Sequence, residues 1–200
     1  MTNEGLWEQL EALEGPATAR RADCQYEGEP GRYTIRVLER EYLVDLSARR
    51  VASVEDCSEA GFAEELCILA YLINSKDVPV RDRLIPAASL PGGQFFFRGP
   101  HKLPTEKLED AFGDNPERLY QVADEFGVRR REFGDAAIEF YVLPRVPMTI
   151  VIWRADEEFA ARASILFDET AAEQLPLDAL WMAANLTVKA LVHAADAPPN

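Results

Sequence analysis

Apolar residues recur at every second position in two separate stretches of this chain, and helical spacing fills much of what lies between. In the first stretch Tyr33, Ile35 and Val37 alternate with Thr34, Arg36 and Leu38, and Tyr42, Val44 and Leu46 follow the charged turn Glu39-Arg40-Glu41. Successive side chains of a strand point to opposite faces, so this period of two predicts half-buried strands. Gly28-Glu29-Pro30-Gly31 and Ser47 to Arg50 supply turn chemistry, and 22–54 reads as an antiparallel meander ending in Val51 to Val54. In the second stretch Ile138, Phe140 and Val142 alternate, Pro144 to Pro147 connects, and Thr149 to Trp153 is nearly all apolar. These two form a hairpin, and Ser164 to Phe167 adds a strand after the acidic turn Asp156-Glu157-Glu158. Strands that come in runs with short connections predict an α+β fold with a mostly antiparallel sheet, not alternating βαβ units.

About five helices complete the expectation. Leu6, Leu10 and Leu13, with Trp7 beside them, share one helical face, and Gly15-Pro16 is expected to end that helix. Between Ser58 and Ser75, Phe62, Leu66, Leu69 and Ile73 fall at steps of four, three and four. Thr105 to Phe112 precedes Gly113, and a further helix is expected to be capped by Asn115 and stopped by Gly127. Thr170 with Glu173 has the capping-box pattern for one helical turn, and the last helix aligns Leu177, Leu180, Trp181, Ala184, Val188 and Leu191. One compact domain of 200 residues is expected: a helix and meander over 1–55, a central helix and Gly/Pro-rich loop over 56–104, helices and hairpin over 105–196, and a tail at 197–200.

Composition narrows the function classes. A formal net charge of −14 repels phosphate backbones and anionic lipid, so neither nucleic acid nor membrane is an expected partner. The basic run Arg129-Arg130-Arg131 is followed at once by Glu132 and Asp135 and reads as a solvated loop or strand edge. No stretch of about 18 uncharged apolar residues occurs, and MTNEGLWEQL has no signal-peptide pattern, which makes the cytoplasm the expected compartment. Cys24, Cys57 and Cys67 are too few and too far apart for a disulfide framework or cluster site, and are expected to be reduced and mostly buried. The chain contains no GxGxxG, P-loop, GxSxG or HExxH motif. Its two histidines are His101 and His193, the second placed where a helix C-terminus favours a cation.

The stretch 77–104 runs against both the helical pattern and the overall charge. Five prolines interrupt it, and Lys76, Arg81, Arg83, Arg98, Lys102 and Lys107 outnumber the nearby acids. Within it, Gly92, Gly93, Phe96, Phe97, Arg98 and His101 combine flexible backbone, aromatic surface, a guanidinium and an imidazole. Such a set can hold a planar or anionic ligand, with Arg98 pairing a carboxylate or phosphate and His101 donating, or ligating a metal as an axial ligand. The plainer alternative makes Phe95-Phe96-Phe97 a core strand followed by a proline turn.

The segments ELCILAYLI, LPGGQFFFRGPHKLPTEKLEDAFGD and VPMTIVIWRADEEFAARASILFDETAAEQLP together resemble a bacterial family, domain of unknown function 3786, over nearly the whole chain. The resemblance implies a protein of anaerobes and marks Gly93, Phe96, Arg98 and His101 as parts of a recurring segment. Some members carry a cysteine-rich iron-sulfur module, for which this chain has no closely spaced cysteines. The resulting expectation is a cytoplasmic accessory protein of anaerobic metabolism that binds a tetrapyrrole-like ligand, haem or corrinoid, or another anion. A noncatalytic interaction subunit of a larger enzyme, docking through its acidic surface and last helix, is the alternative. A third reading is a metal-dependent enzyme using Asp156, Glu158 or Asp168; no catalytic residue is otherwise indicated.

Overall fold

Alternation in the meander produces the expected strands. In a computed structural model describing residues 3–196, β1 (Gln25–Glu27), β2 (Arg32–Val37), β3 (Arg40–Asp45) and β4 (Arg50–Ser53) form an antiparallel sheet in that order. Tyr33, Ile35 and Val37 on β2 are buried, as are Tyr42 and Val44 on β3 and Val51 on β4. The tail at 197–200 lies outside the described residues.

A second antiparallel sheet of five strands follows the order β5 (Leu84–Pro86), β9 (Arg162–Asp168), β8 (Val146–Trp153), β7 (Ala136–Leu143), β6 (Arg129–Arg130). The hairpin β7–β8 is paired as expected, with Ile138 opposite Ile150 and Phe140 opposite Met148. The expected α+β fold with antiparallel strands is thus present, its strands divided between two sheets. The sheets meet where the β2–β3 turn reaches β7: Leu38, in the left-handed conformation with φ 51°, donates its N–H to the Val142 carbonyl at 3.1 Å.

The helices are α1 (Glu4–Glu11), α2 (Gly15–Ala22), α3 (Phe62–Asn74), α4 (Gly93–Phe96), α5 (Thr105–Phe112), α6 (Arg118–Ala123), α7 (Ala171–Gln174) and α8 (Leu177–Asp196). The α2 helix corrects the reading of Gly15-Pro16 as a stop. Pro16 occupies the first turn, where a missing N–H costs nothing, and Glu14 accepts the Ala17 N–H at 2.7 Å as the cap. Thr170 precedes α7 but does not cap it by side chain; its hydroxyl donates to Asp168 at 2.6 Å instead. Asn115 supplies a main-chain carbonyl, not a side-chain cap, while Gly127 ends the following turn in the left-handed conformation as expected.

One hydrophobic core links these elements. Helix α8 packs on α3, α5 and α6, and α1 and α2 close on α3. Leu69, Leu72, Leu108, Phe112, Ile150, Phe167, Leu180 and Val188 are fully buried within it. Of the cysteines, Cys67 is buried, Cys24 is half-buried and Cys57 is exposed, which corrects the expectation for Cys57. Burial pushes the thiols of Cys24 and Cys67 up to about 12, far from the thiolate state that reactivity needs. No helix among the described residues is long and apolar enough to cross a membrane.

Candidate functional site

The central loop is shaped by its glycines. Gly92 has φ 78°, a left-handed conformation that L side chains resist, and it turns the chain after the buried Leu90. Gly93 passes so close to the Ala87 carbonyl oxygen that an added Cβ would overlap it. Both glycines named from the sequence thus have a backbone reason for being there.

This turn starts α4, and the helix corrects the reading of the phenylalanines as a core strand. Helical spacing sends Phe95 into solvent, where 75% of it is exposed, while Phe96 and Phe97 are half-buried. Phe97 stacks on Phe167 of β9 at 6.4 Å and meets Phe96 edge-on at 5.2 Å. The following turn returns His101 to Phe96, with the two rings stacked at 4.4 Å and 18°. Trp181 of α8 closes the other side, its ring perpendicular to His101 at 5.4 Å and its Nε1–H donated to the Lys102 carbonyl at 3.1 Å. The imidazole is therefore fixed in orientation by two aromatic rings. Neither of its nitrogens has a hydrogen-bond partner among the described residues.

Ion pairing spends most of the local positive charge. Lys76 faces Glu173 at 3.8 Å, Arg81 and Arg83 share Glu169 at 2.8 and 3.0 Å, and Lys102 pairs with Glu106 at 2.5 Å. Arg98 and Lys107 are the members of the stretch with no carboxylate partner among the described residues. Arg98 is exposed and three positions from His101, so the sequence-named guanidinium and imidazole are both unspent.

Phe97 also lines an apolar cleft of about 300 Å³. Pro86, Ala87 and Ala88, then Lys102, Leu103 and Thr105, and β9 from Ala163 to Leu166 form its walls. A more polar cleft of about 380 Å³ opens between the two sheets, lined by Cys24, Arg36, Glu39, Glu41 and Tyr141 among others. Neither was signalled by sequence, since each gathers residues from distant segments. Trp181 was likewise read only as a core-facing position of the last helix.

The acidic candidates hold loops. Asp156 accepts the N–H groups of Glu158 and Phe159 at 2.8 and 2.7 Å. Asp168 is fully buried and accepts four hydrogen bonds: Oδ1 takes the Arg81 N–H and the Thr170 N–H and hydroxyl, and Oδ2 takes the Arg83 N–H. Burial raises its pKa, but the hydrogen bonds from Thr170, Arg81 and Arg83 outweigh it and hold the carboxyl below its ordinary value. Among the described residues no group of three or more His, Cys, Asp or Glu side chains is placed to hold a metal ion. His193 is exposed in the last turn of α8.

A family model described as domain of unknown function (DUF3786) matches residues 15–190. No curated protein and no solved structure matches the chain.

Proposed function

The chain belongs to the DUF3786 family, and we propose that it is a cytoplasmic accessory protein of anaerobic metabolism that holds a tetrapyrrole-like or otherwise anionic ligand at its central loop. The observation that carries this reading is the imidazole of His101, fixed between Phe96 and Trp181 with both ring nitrogens unengaged. A ring held in this way has already lost its rotational freedom before any ligand arrives, which lowers the cost of binding. Arg98 supplies the charge for a carboxylate or phosphate, and the exposed ring of Phe95 extends the aromatic surface beyond Phe96. Haem and corrinoids combine a flat or ring-shaped macrocycle, acidic or amide side chains, and a metal that accepts an imidazole nitrogen. His101 would serve as the axial ligand and Arg98 as the anchor.

The test is an absorption spectrum and native mass of the protein, taken under anaerobic conditions before and after incubation with haem and with a corrinoid. A shifted visible band that disappears in His101→Ala and persists in His193→Ala is expected. Identical spectra and an unchanged native mass would overturn the reading.

A second reading, the interaction subunit of a larger anaerobic enzyme, draws on Phe95 and Phe159, which are 75% and 69% exposed on a strongly acidic chain. It predicts a stable protein partner in a native pull-down that is lost in Phe95→Asp or Phe159→Asp, with no small molecule bound.

A further inference from the structure

The apolar cleft beside Phe97 sits on an incomplete sheet edge. Strand β5 covers β9 only at Leu166, Phe167 and Asp168, and after Pro86 the chain leaves the edge in the 3-10 turn Ala87–Ser89. Along an antiparallel strand, alternate residues direct their N–H and C=O groups to the same side. The Ala163 N–H leaves β9 away from β8 and is taken by Oε1 of Glu109 at 3.0 Å, and Phe167 faces Ile85 on that side. Ile165, midway between them, therefore turns its main-chain groups the same way, and no strand is paired with it there. Ile165 shares the lining of the cleft with Ala87, Ala88, Phe97, Lys102 and Leu103.

The edge already shows what it accepts. One of its outward N–H groups binds a carboxylate, that of Glu109, and the next lies two residues away at the apolar cleft. Lys102 is 64% exposed in its side chain and is engaged by an i,i+4 pair with Glu106, an exchange partner of little cost to replace. We propose that this cleft binds a small apolar carboxylate of arylacetate size, its carboxylate on the Ile165 N–H and the Lys102 ammonium, its hydrocarbon body against Phe97, Leu103 and the two alanines. A volume of about 300 Å³ suits a small ligand and leaves no room for a macrocycle. Phe97 lines this cleft but His101 and Arg98 do not, so the two sites share one aromatic ring and differ in their polar groups.

Titration with phenylacetate and with its uncharged analogue phenylacetamide, followed by amide NMR, tests the assignment. Phenylacetate should bind saturably, shift the Ile165 amide, and bind at least about fivefold more tightly than phenylacetamide. Lys102→Ala should weaken it about fivefold, and Ala88→Trp, a filling substitution at an exposed position, should abolish it. His101→Ala should leave it unchanged, which separates this cleft from the haem or corrinoid test. Absence of saturation at about 10 mM, equal affinity for the amide, or no shift at Ile165 in the unsubstituted protein would each overturn the proposal.

Discussion

The hydroxyl of Tyr71 accepts the main-chain N–H of Arg145 at 3.1 Å while donating to the Ala22 carbonyl at 3.0 Å. Through this one oxygen the central helix α3 joins the end of α2 to the turn between β7 and β8. Arg145 extends the junction, reaching Asp77 at 2.8 Å and the carbonyls of Arg20 and Val78. Burial holds the phenol above its ordinary value, so it stays neutral and serves as donor and acceptor together.

Tyr71→Phe should therefore lower stability by about 1–3 kcal/mol, because a buried carbonyl and a partly buried N–H lose their partner while the ring still fills its place. Urea unfolding measures the change. A loss below about 0.5 kcal/mol would mean that water or another group replaces the hydroxyl.

Gly92 and Gly93 separate two backbone effects. Gly92→Ala should cost about 1 kcal/mol for a left-handed conformation, with nothing in the way of the methyl except the flexible Leu177 side chain. Gly93→Ala should cost more, about 2–3 kcal/mol, since its methyl meets the Ala87 carbonyl. Thermal unfolding of both variants ranks them, and the reverse order would refute the close approach.

The acid limb of stability has a local source at Asp45. The Ser47 hydroxyl, Arg32 and the Ala48 N–H hold its carboxyl down at about 2, from an ordinary 3.8. A depressed folded-state value adds stability above the unfolded value, and that contribution is lost as pH falls from 3.8 through about 2. Asp45→Asn should be less stable than the parent at neutral pH, and the gap should close across that acidic window. Denaturant midpoints measured from pH 7 to pH 2 follow it.

Glu139 is nearly buried on the middle of β7, 3.3 Å from the largely covered guanidinium of Arg131. Glu139→Ala should cost about 1–2 kcal/mol, because Arg131 loses one of its two carboxylate partners and keeps Asp82 at 2.8 Å, whereas the double replacement Glu139→Leu, Arg131→Met should cost less. A double-mutant cycle by urea unfolding reads the difference.

Much of the fold was legible because burial is periodic. Tyr33, Ile35 and Val37, and Ile138 with Phe140, face the core as their spacing predicts, whereas on α3 Leu69 is buried but Phe62 is 41% exposed, and the buried residues are the run Cys67 to Leu72. Where local signals serve two roles the reading failed. Gly15-Pro16 can end a helix or begin one, and the capping bond of Glu14 decided it. Leu84-Ile85-Pro86 is too short to announce a strand and exists because β9 pairs with it. At the candidate site, Gly92, Gly93, Phe96 and His101 come together within one loop, so sequence proximity placed them. Trp181 reaches His101 from a helix eighty positions later in the chain, and the ion pairs that silence Arg81 and Arg83 depend on Glu169, equally remote. No pattern in a single sequence carries such distances.

The bond from Leu38 to Val142 gives the two sheets a shared clock. Its donor lies on a turn of one sheet and its acceptor on a strand of the other, so the Leu38 amide exchanges with deuterium when the sheets part, even if each stays folded. Compared with the exchange of Ile35 within β2, its rate separates undocking from unfolding at a single atom.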